Sequence, residues 1–131
     1  MRADSYNTGI ASEYLVLSKL YRLGLESYMS LGNKKSIDIR VVRPDTSSIS
    51  IDVKSVRGYS SLIVNNVKPL KYHFIVFVIY NNRFDDPNTQ PETFIVPSLK
   101  IPELQKTYKK EKRIMKSDIR QFENAWNTLL L

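Results

Sequence analysis

The sequence predicts an α/β fold, a mixed β-sheet of about five strands flanked by helices. Three patterns predict it. Apolar residues recur at helical spacing over 9–23. Residues 36–42 and 48–56 alternate apolar with polar on either side of a polar turn, as paired strands do. Residues 73–80, HFIVFVIY, are almost continuously apolar, which marks a strand covered on both faces, so helices are expected on both sides of the sheet.

Each element follows in chain order. In GIASEYLVLSKLYRL (9–23), Ile10, Tyr14, Leu17 and Tyr21 define an apolar face, with Ser12 and Lys19 opposite and Gly24 as a C-terminal stop. Glu13 falls between Leu17 and Leu20 on the apolar side. A carboxylate there is costly unless something pairs with it, or it is a boundary residue near the helix start, where a negative charge suits the dipole. A short strand is expected at 26–29, then the polar turn 31–35 and a strand at 36–42. Pro44-Asp45-Thr46-Ser47-Ser48 is a turn, and SISIDVKSVRG (48–58) begins as the next strand. A link leads to the buried strand 73–80 and a short strand at 93–96. Residues 100–116 are basic, and Ser117 is placed to cap a last helix whose Ile119, Phe122, Trp126, Leu129 and Leu130 share a face. No repeat or low-complexity tract interrupts this order, so one domain over 1–131 is expected, long enough to bury a core.

Composition excludes several chemistries. There is no cysteine, so disulfides, Cys-zinc sites and thiol catalysis are out. His73 is the only histidine, which argues against His-pair metal sites. The four glycines are too scattered for a phosphate-cradling loop. No apolar signal core opens the chain, and its longest apolar run, 74–80, is too short to cross a membrane, so a cytoplasmic protein is expected. Twenty Lys and Arg against 13 Asp and Glu give a net charge of +7, which suits a polyanionic partner, most often nucleic acid.

The chemistry concentrates in the two alternating strands. A hairpin centred on Thr46 would set Asp38 opposite Lys54 and Arg40 opposite Asp52. Asp38, Asp52 and Lys54 then share one face, with directly opposed Cβ atoms about 5 Å apart. Carboxylates so spaced can hold Mg²⁺, with the Val53 carbonyl as a further oxygen and Glu13 reaching the ion through water. Lys54 could orient a water or stabilise charge on a phosphate. The alternative is a half-exposed hairpin whose acids and bases pair across strands. Asp-x-Lys alone is little guide, since 13 acids and 12 lysines give about one acid-x-Lys match by chance. Its surroundings carry the argument.

Those surroundings resemble a known family. Gly9-Ile10-Ala11-Ser12-Glu13 on a first helix, Ser36-Ile37-Asp38, and Ile51-Asp52-Val53-Lys54 resemble the PD-(D/E)XK nuclease superfamily over roughly residues 8–80. That group includes many restriction endonucleases, archaeal-type Holliday junction resolvases and some homing endonucleases. The resemblance implies a restriction endonuclease-like fold and Mg²⁺-dependent hydrolysis of DNA phosphodiesters, with Mn²⁺ able to substitute. It implies Glu13, Asp38 and Asp52 as metal ligands or their water partners, and Lys54 as the catalytic lysine. Ile37 stands where the superfamily often has Pro, and the C-terminal third matches no subfamily pattern.

A DNA partner needs phosphate contacts. Residues 100–120 hold eight basic and three acidic side chains, a net of +5, with Lys109, Lys110 and Lys112 at their centre. Lys34, Lys35, Arg57 and Lys71 lie nearer the candidate site in sequence. A flexible solvated segment would look similar. One site cuts one strand, so a homodimer or higher homo-oligomer is expected for double-strand cleavage. Two other functions fit the same residues: a non-catalytic nucleic-acid-binding module on this fold, and an interaction protein with a salt-bridged hairpin.

Overall fold

A computed structural model describes residues 2–30, 38–59 and 61–130. Its elements are α1 (Arg2–Arg22), β1 (Glu26–Met29), β2 (Ile39–Val42), β3 (Ser48–Val56), β4 (Ser61–Ile63), β5 (His73–Ile79), β6 (Glu92–Pro97), α2 (Ile101–Leu104), β7 (Lys106–Tyr108) and β8 (Glu111–Met115). Short 3₁₀ segments cover Ser98–Lys100, Lys116–Phe122 and Trp126–Leu130. Among the described residues no helix is long and apolar enough to cross a membrane.

The main sheet has five strands in the order β1-β2-β3-β5-β6. It is mixed: β3 and β5 run parallel, and every other neighbouring pair is antiparallel. The apolar run of β5 buries both faces. Val76 and Val78 join a cluster with Val16 and Leu20 of α1, while Ile75, Phe77 and Ile79 face a second cluster with Leu62, Ile101, Ile114 and Ile119. α1 therefore covers one face. The other is covered by α2, a 3₁₀ segment and a second sheet, β4-β8-β7, that the sequence patterns do not predict. β4 lies in the expected link, and β7–β8 form a hairpin inside the basic stretch, which is thus folded rather than a flexible segment.

Three expectations need correction. First, the buried stripe of α1 is Thr8, Ser12, Val16 and Leu20, whereas Tyr14 and Tyr21 of the expected face are exposed. Ser12 is tolerated inside because its hydroxyl donates to the Thr8 carbonyl (2.6 Å) and shares a hydrogen bond with the Tyr80 hydroxyl (2.9 Å). The stop at Gly24 is as expected, with φ at +82°.

Second, the last helix does not form. The 3₁₀ segments are separated at Glu123 and Asn124, where the chain hooks onto β6, the edge strand. Glu123 bridges to Phe94, and the Asn124 N–H donates to the Thr93 carbonyl (2.9 Å). Ile119 and Phe122 pack on one side of the sheet, Trp126 and Leu129 on the other. Covering an open strand edge outweighs helical periodicity here. Lys116 fastens the same edge, its ammonium 2.6 Å from Glu92, and holds that carboxyl below its ordinary pKa.

Third, the β2–β3 hairpin pairs Ile39 with Ile51 and Arg40 with Ser50. The register is two residues from the expected one. Its turn is centred on Asp45, whose carboxylate accepts from the Ser47 N–H and hydroxyl, and Thr46 takes the positive φ of 68°. A shift of two keeps every side chain on its face; a shift of one would have reversed them all.

Candidate active site

The observed register changes which groups meet. Regular pairing ends at Ile39–Ile51; the Asp38 N–H then turns to the Ile51 carbonyl, and Asp38 lies within electrostatic reach of both Asp52 and Lys54 instead of directly opposite Lys54. Arg40 is exposed beside Ser50, away from Asp52. The cross-strand ion pairs that a salt-bridged hairpin needs are therefore not made, and two carboxylates lie near each other instead.

Asp38 is fixed where regular pairing ends. Its backbone N–H donates to the Ile51 carbonyl (3.0 Å), and its carbonyl accepts from Ser30 N–H (2.8 Å). Its side-chain Oδ2 accepts the Val53 N–H at 2.7 Å. Burial raises the Asp38 pKa most, the Val53 hydrogen bond opposes it, the Asp52 charge raises it further and Lys54 lowers it; the net direction is up. Glu13, half-buried on α1, is also raised, first by burial and then by the charge of Asp38. Glu13, Asp38, Asp52 and Lys54 thus share one electrostatic neighbourhood, although Glu13 arrives from the helix on the other face.

Asp52 sits on the second-cluster side of β3, flanked in the parallel ladder by Ile75. Its Oδ2 lies 3.3 Å from His73 Nε2, and its Oδ1 is buried with no hydrogen-bond partner among the described residues. Lys54 makes no ion pair among the described residues. Nor do three His, Cys, Asp or Glu side chains among them converge closely enough to enclose an ion by themselves. The donors present still suit Mg²⁺, which keeps several waters and takes only one or two carboxylates. The orphaned Asp52 Oδ1, beside a second carboxylate, is the atom that fits such an ion.

Beyond Ile51, β3 has no β2 partner, so its 53–56 edge opens towards β4. The gap between them is a groove of about 400 Å³ lined by Lys54, Ser55, Ser61, Ile63 and Arg113, among others. Lys54 therefore borders both the carboxylates and this groove. Arg113 is held there by Glu111 (2.9 Å) and Ser61 (2.8 Å).

No protein-family model and no curated protein matches the sequence. Solved structures do match its shape. A bacterial homing endonuclease aligns with a TM-score of 0.64 at 13% identity, covering 94% of this chain and 88% of its own. The Holliday junction resolvase of Archaeoglobus fulgidus, an archaeal hyperthermophile, aligns with a TM-score of 0.58 at 15% identity, over 86% of this chain and 88% of its own. The chain has the restriction endonuclease-like fold.

On that restriction endonuclease-like frame, the other predicted residues scatter. Arg57 is engaged internally: its Nε donates to Thr8 (2.6 Å), its guanidinium stacks 4.0 Å from the Phe84 ring centre, and it pairs with Asp85. It is a clamp between α1 and the 80–85 loop. Lys71 is exposed just before β5, and Lys109, Lys110 and Lys112 are exposed on the β7–β8 hairpin. Lys34 and Lys35 lie outside the described residues. Two residues escaped sequence reasoning. His73 stood out only as a polar residue heading an apolar run, and Arg113 as one cation among eight; both reach the site through pairings distant in sequence.

Proposed function

We propose that the protein is a DNA endonuclease, of restriction, resolvase or homing type, that hydrolyses phosphodiesters with Mg²⁺, or Mn²⁺ in its place. One observation carries this reading: Asp38 and Asp52 lie close enough for the charge of Asp52 to raise the Asp38 pKa, and Asp52 Oδ1 is buried with no hydrogen-bond partner among the described residues. Folding such a pair is unfavourable in isolation. It makes sense where a cation completes it. Asp38, Asp52 and the Val53 carbonyl would hold the ion, with Glu13 behind a water. When bound, Mg²⁺ supplies an acidified water and neutralises charge on the phosphate. The chain's own residues do the rest. The Val53 N–H fixes the Asp38 rotamer, and Lys54, held in no ion pair among the described residues, is available to the phosphate oxygens. The fold's neighbours include a homing endonuclease and a Holliday junction resolvase, which supports a DNA substrate. The decisive test is cleavage of supercoiled plasmid and branched DNA with and without Mg²⁺ or Mn²⁺. Binding without cleavage under all conditions would leave a DNA-binding module.

The DNA path runs from Lys54 along the groove to Arg113 and the lysine hairpin in this reading. Replacing Lys109, Lys110 and Lys112 together by Ala should reduce the slope of log K against log salt by about 2 to 3, one for each phosphate that is no longer neutralised. Fluorescence anisotropy on duplex DNA between low and moderate salt checks this. An unchanged slope would take the hairpin off the DNA path.

The homo-oligomer has a surface to use. Tyr6, Tyr14, Tyr21 and Tyr28 are each more than half exposed, and Ile10 and Leu17 lie between them on α1. Four tyrosines at that exposure offer roughly 500 Å² per copy and about 1,000 Å² for a pair, where specific interfaces begin. The stripe contains no Lys or Arg, so it is a poor phosphate surface, and a second copy can meet it without like-charge repulsion despite the +7 net charge. Light scattering on the purified chain should give a dimer or larger assembly, and Tyr14→Arg with Tyr21→Arg should give monomers of unchanged circular dichroism. A monomeric wild type removes this interface.

A further inference from the structure

His73 heads β5 and is the only histidine in the chain. Parallel pairing puts it beside Ser50, two residues along the same face from Asp52. Its side chain is only 2% exposed. Among the described residues neither ring nitrogen has a hydrogen-bond partner, and the Asp52 Oδ1 is a third buried polar atom in the same state. An ordinary core histidine has its nitrogens satisfied, and a cluster of orphaned polar atoms calls for a cause. The Asp52 oxygens divide the explanation between them. Oδ2 is 3.3 Å from His73 Nε2, at ion-pair range but outside hydrogen-bond geometry; Oδ1 has no hydrogen-bond partner among the described residues.

We propose that His73 is a positioning residue for the cation site, and this rests on the nuclease reading above. Its Nε2 edge engages Asp52 Oδ2 from behind and fixes the rotamer that presents Oδ1 to the metal. A small closure brings the 3.3 Å contact into hydrogen-bonding range once the ion draws the carboxylate into line. Without the ring, Asp52 can turn either oxygen, or neither, towards the ion. Partners that orient ligating carboxylates typically change metal affinity or activity by about 10–100-fold. Ser50, the other polar neighbour on this face, is too short to replace the imidazole in that role.

The test is Mn²⁺ binding by electron paramagnetic resonance, on protein alone and with a duplex made uncleavable at its phosphates. His73→Phe fills the space without a donor and should weaken Mn²⁺ binding by about 10–100-fold. His73→Gln, whose amide nitrogen matches the reach of Nε2, should stay within a few-fold of wild type. His73→Asn, too short to reach Oδ2, should resemble Phe. In cleavage assays the Phe and Asn variants should need more metal for half-maximal rate yet regain most of kcat at saturation. DNA affinity measured in EDTA should not move. Should Phe fail to fold, Gln against Asn makes the same comparison. A Phe or Asn variant binding Mn²⁺ like wild type overturns the proposal, as does a folded Gln variant no better than Phe. A wild type that binds no Mn²⁺ with or without DNA overturns the nuclease reading itself.

Discussion

Asp52→Asn and Lys54→Ala should each lower metal-dependent DNA cleavage by about 10³-fold or more, roughly 4 kcal/mol of barrier, while circular dichroism stays near wild type. The two losses have different origins. Asn at 52 keeps the size of the side chain but removes the charge whose Oδ1 is buried without a partner. Cation binding should weaken, and raising the metal concentration should recover part of the rate. Ala at 54 leaves both carboxylates in place and removes the ammonium that borders carboxylates and groove alike. Its defect should sit in kcat and resist added metal. Arg57→Ala makes an informative contrast. Arg57 is tied to Thr8, Phe84 and Asp85, so its loss should lower the melting point more than the chemical step. Cleavage that survives both Asp52→Asn and Lys54→Ala would place the active site elsewhere on the molecule.

Why these residues could be singled out from sequence, and others not, is a matter of range. The strands of the main sheet each carry a local signature: alternation in β2 and β3, and a continuous apolar run in β5 long enough to demand two covered faces. Asp38 and Asp52 are brought near each other by the hairpin itself, so an error of two in the register left them neighbours and changed only their partners. The pieces that escaped are short or non-local. β4 and β7 have three residues each, too few for a period to register, and β7 is wholly exposed. The C-terminal residues Ile119 to Leu129 have helical spacing, but an open β6 edge captures Glu123 and Asn124 and sends the apolar side chains to opposite faces. In α1 the tyrosines weighed as apolar in the pattern, whereas their hydroxyls favour the water side. Tyr21, for instance, lays its hydroxyl on the Ser27 carbonyl at 2.6 Å and leaves its ring in solvent. His73 depended on a parallel register between strands separated by a long crossover, which no single-sequence pattern encodes.

If these carboxylates hold a cation, the protein's stability should respond to pH and to metal in opposite senses. Asp38 and Glu13 have folded-state pKa values raised above those of the unfolded chain, chiefly by burial. Between the unfolded values, about 4, and the raised folded ones, the native state binds more protons than the unfolded state. Metal-free stability should therefore fall as pH rises through that window and level off above it. Asp38→Asn keeps an oxygen for the Val53 N–H and removes the buried charge, so it should raise the metal-free melting point at neutral pH and flatten this decline. Mg²⁺ should act the other way, because a cation site of carboxylates takes only their ionised form. With a weak site of about 1 mM, typical of an ion that gives up its waters reluctantly, about 10 mM metal contributes RT ln(1 + [L]/Kd), about 1.4 kcal/mol. For a chain of this length the melting point should rise by about 3–6 °C, more at about pH 8 than at about pH 5, with Mn²⁺ behaving alike. Asp52→Asn and Asp38→Asn should each abolish that rise. Melting curves in Mg²⁺, Mn²⁺ and NaCl of matched ionic strength, at both pH values, measure all of these at once. A wild type that ignores both metals beyond the NaCl control, together with Asn variants that melt lower than wild type, would make the pair a structural feature of the hairpin. A metal-dependent rise lost in both variants, with metal-free melting points at or above wild type, would mark carboxylates held together for a cation.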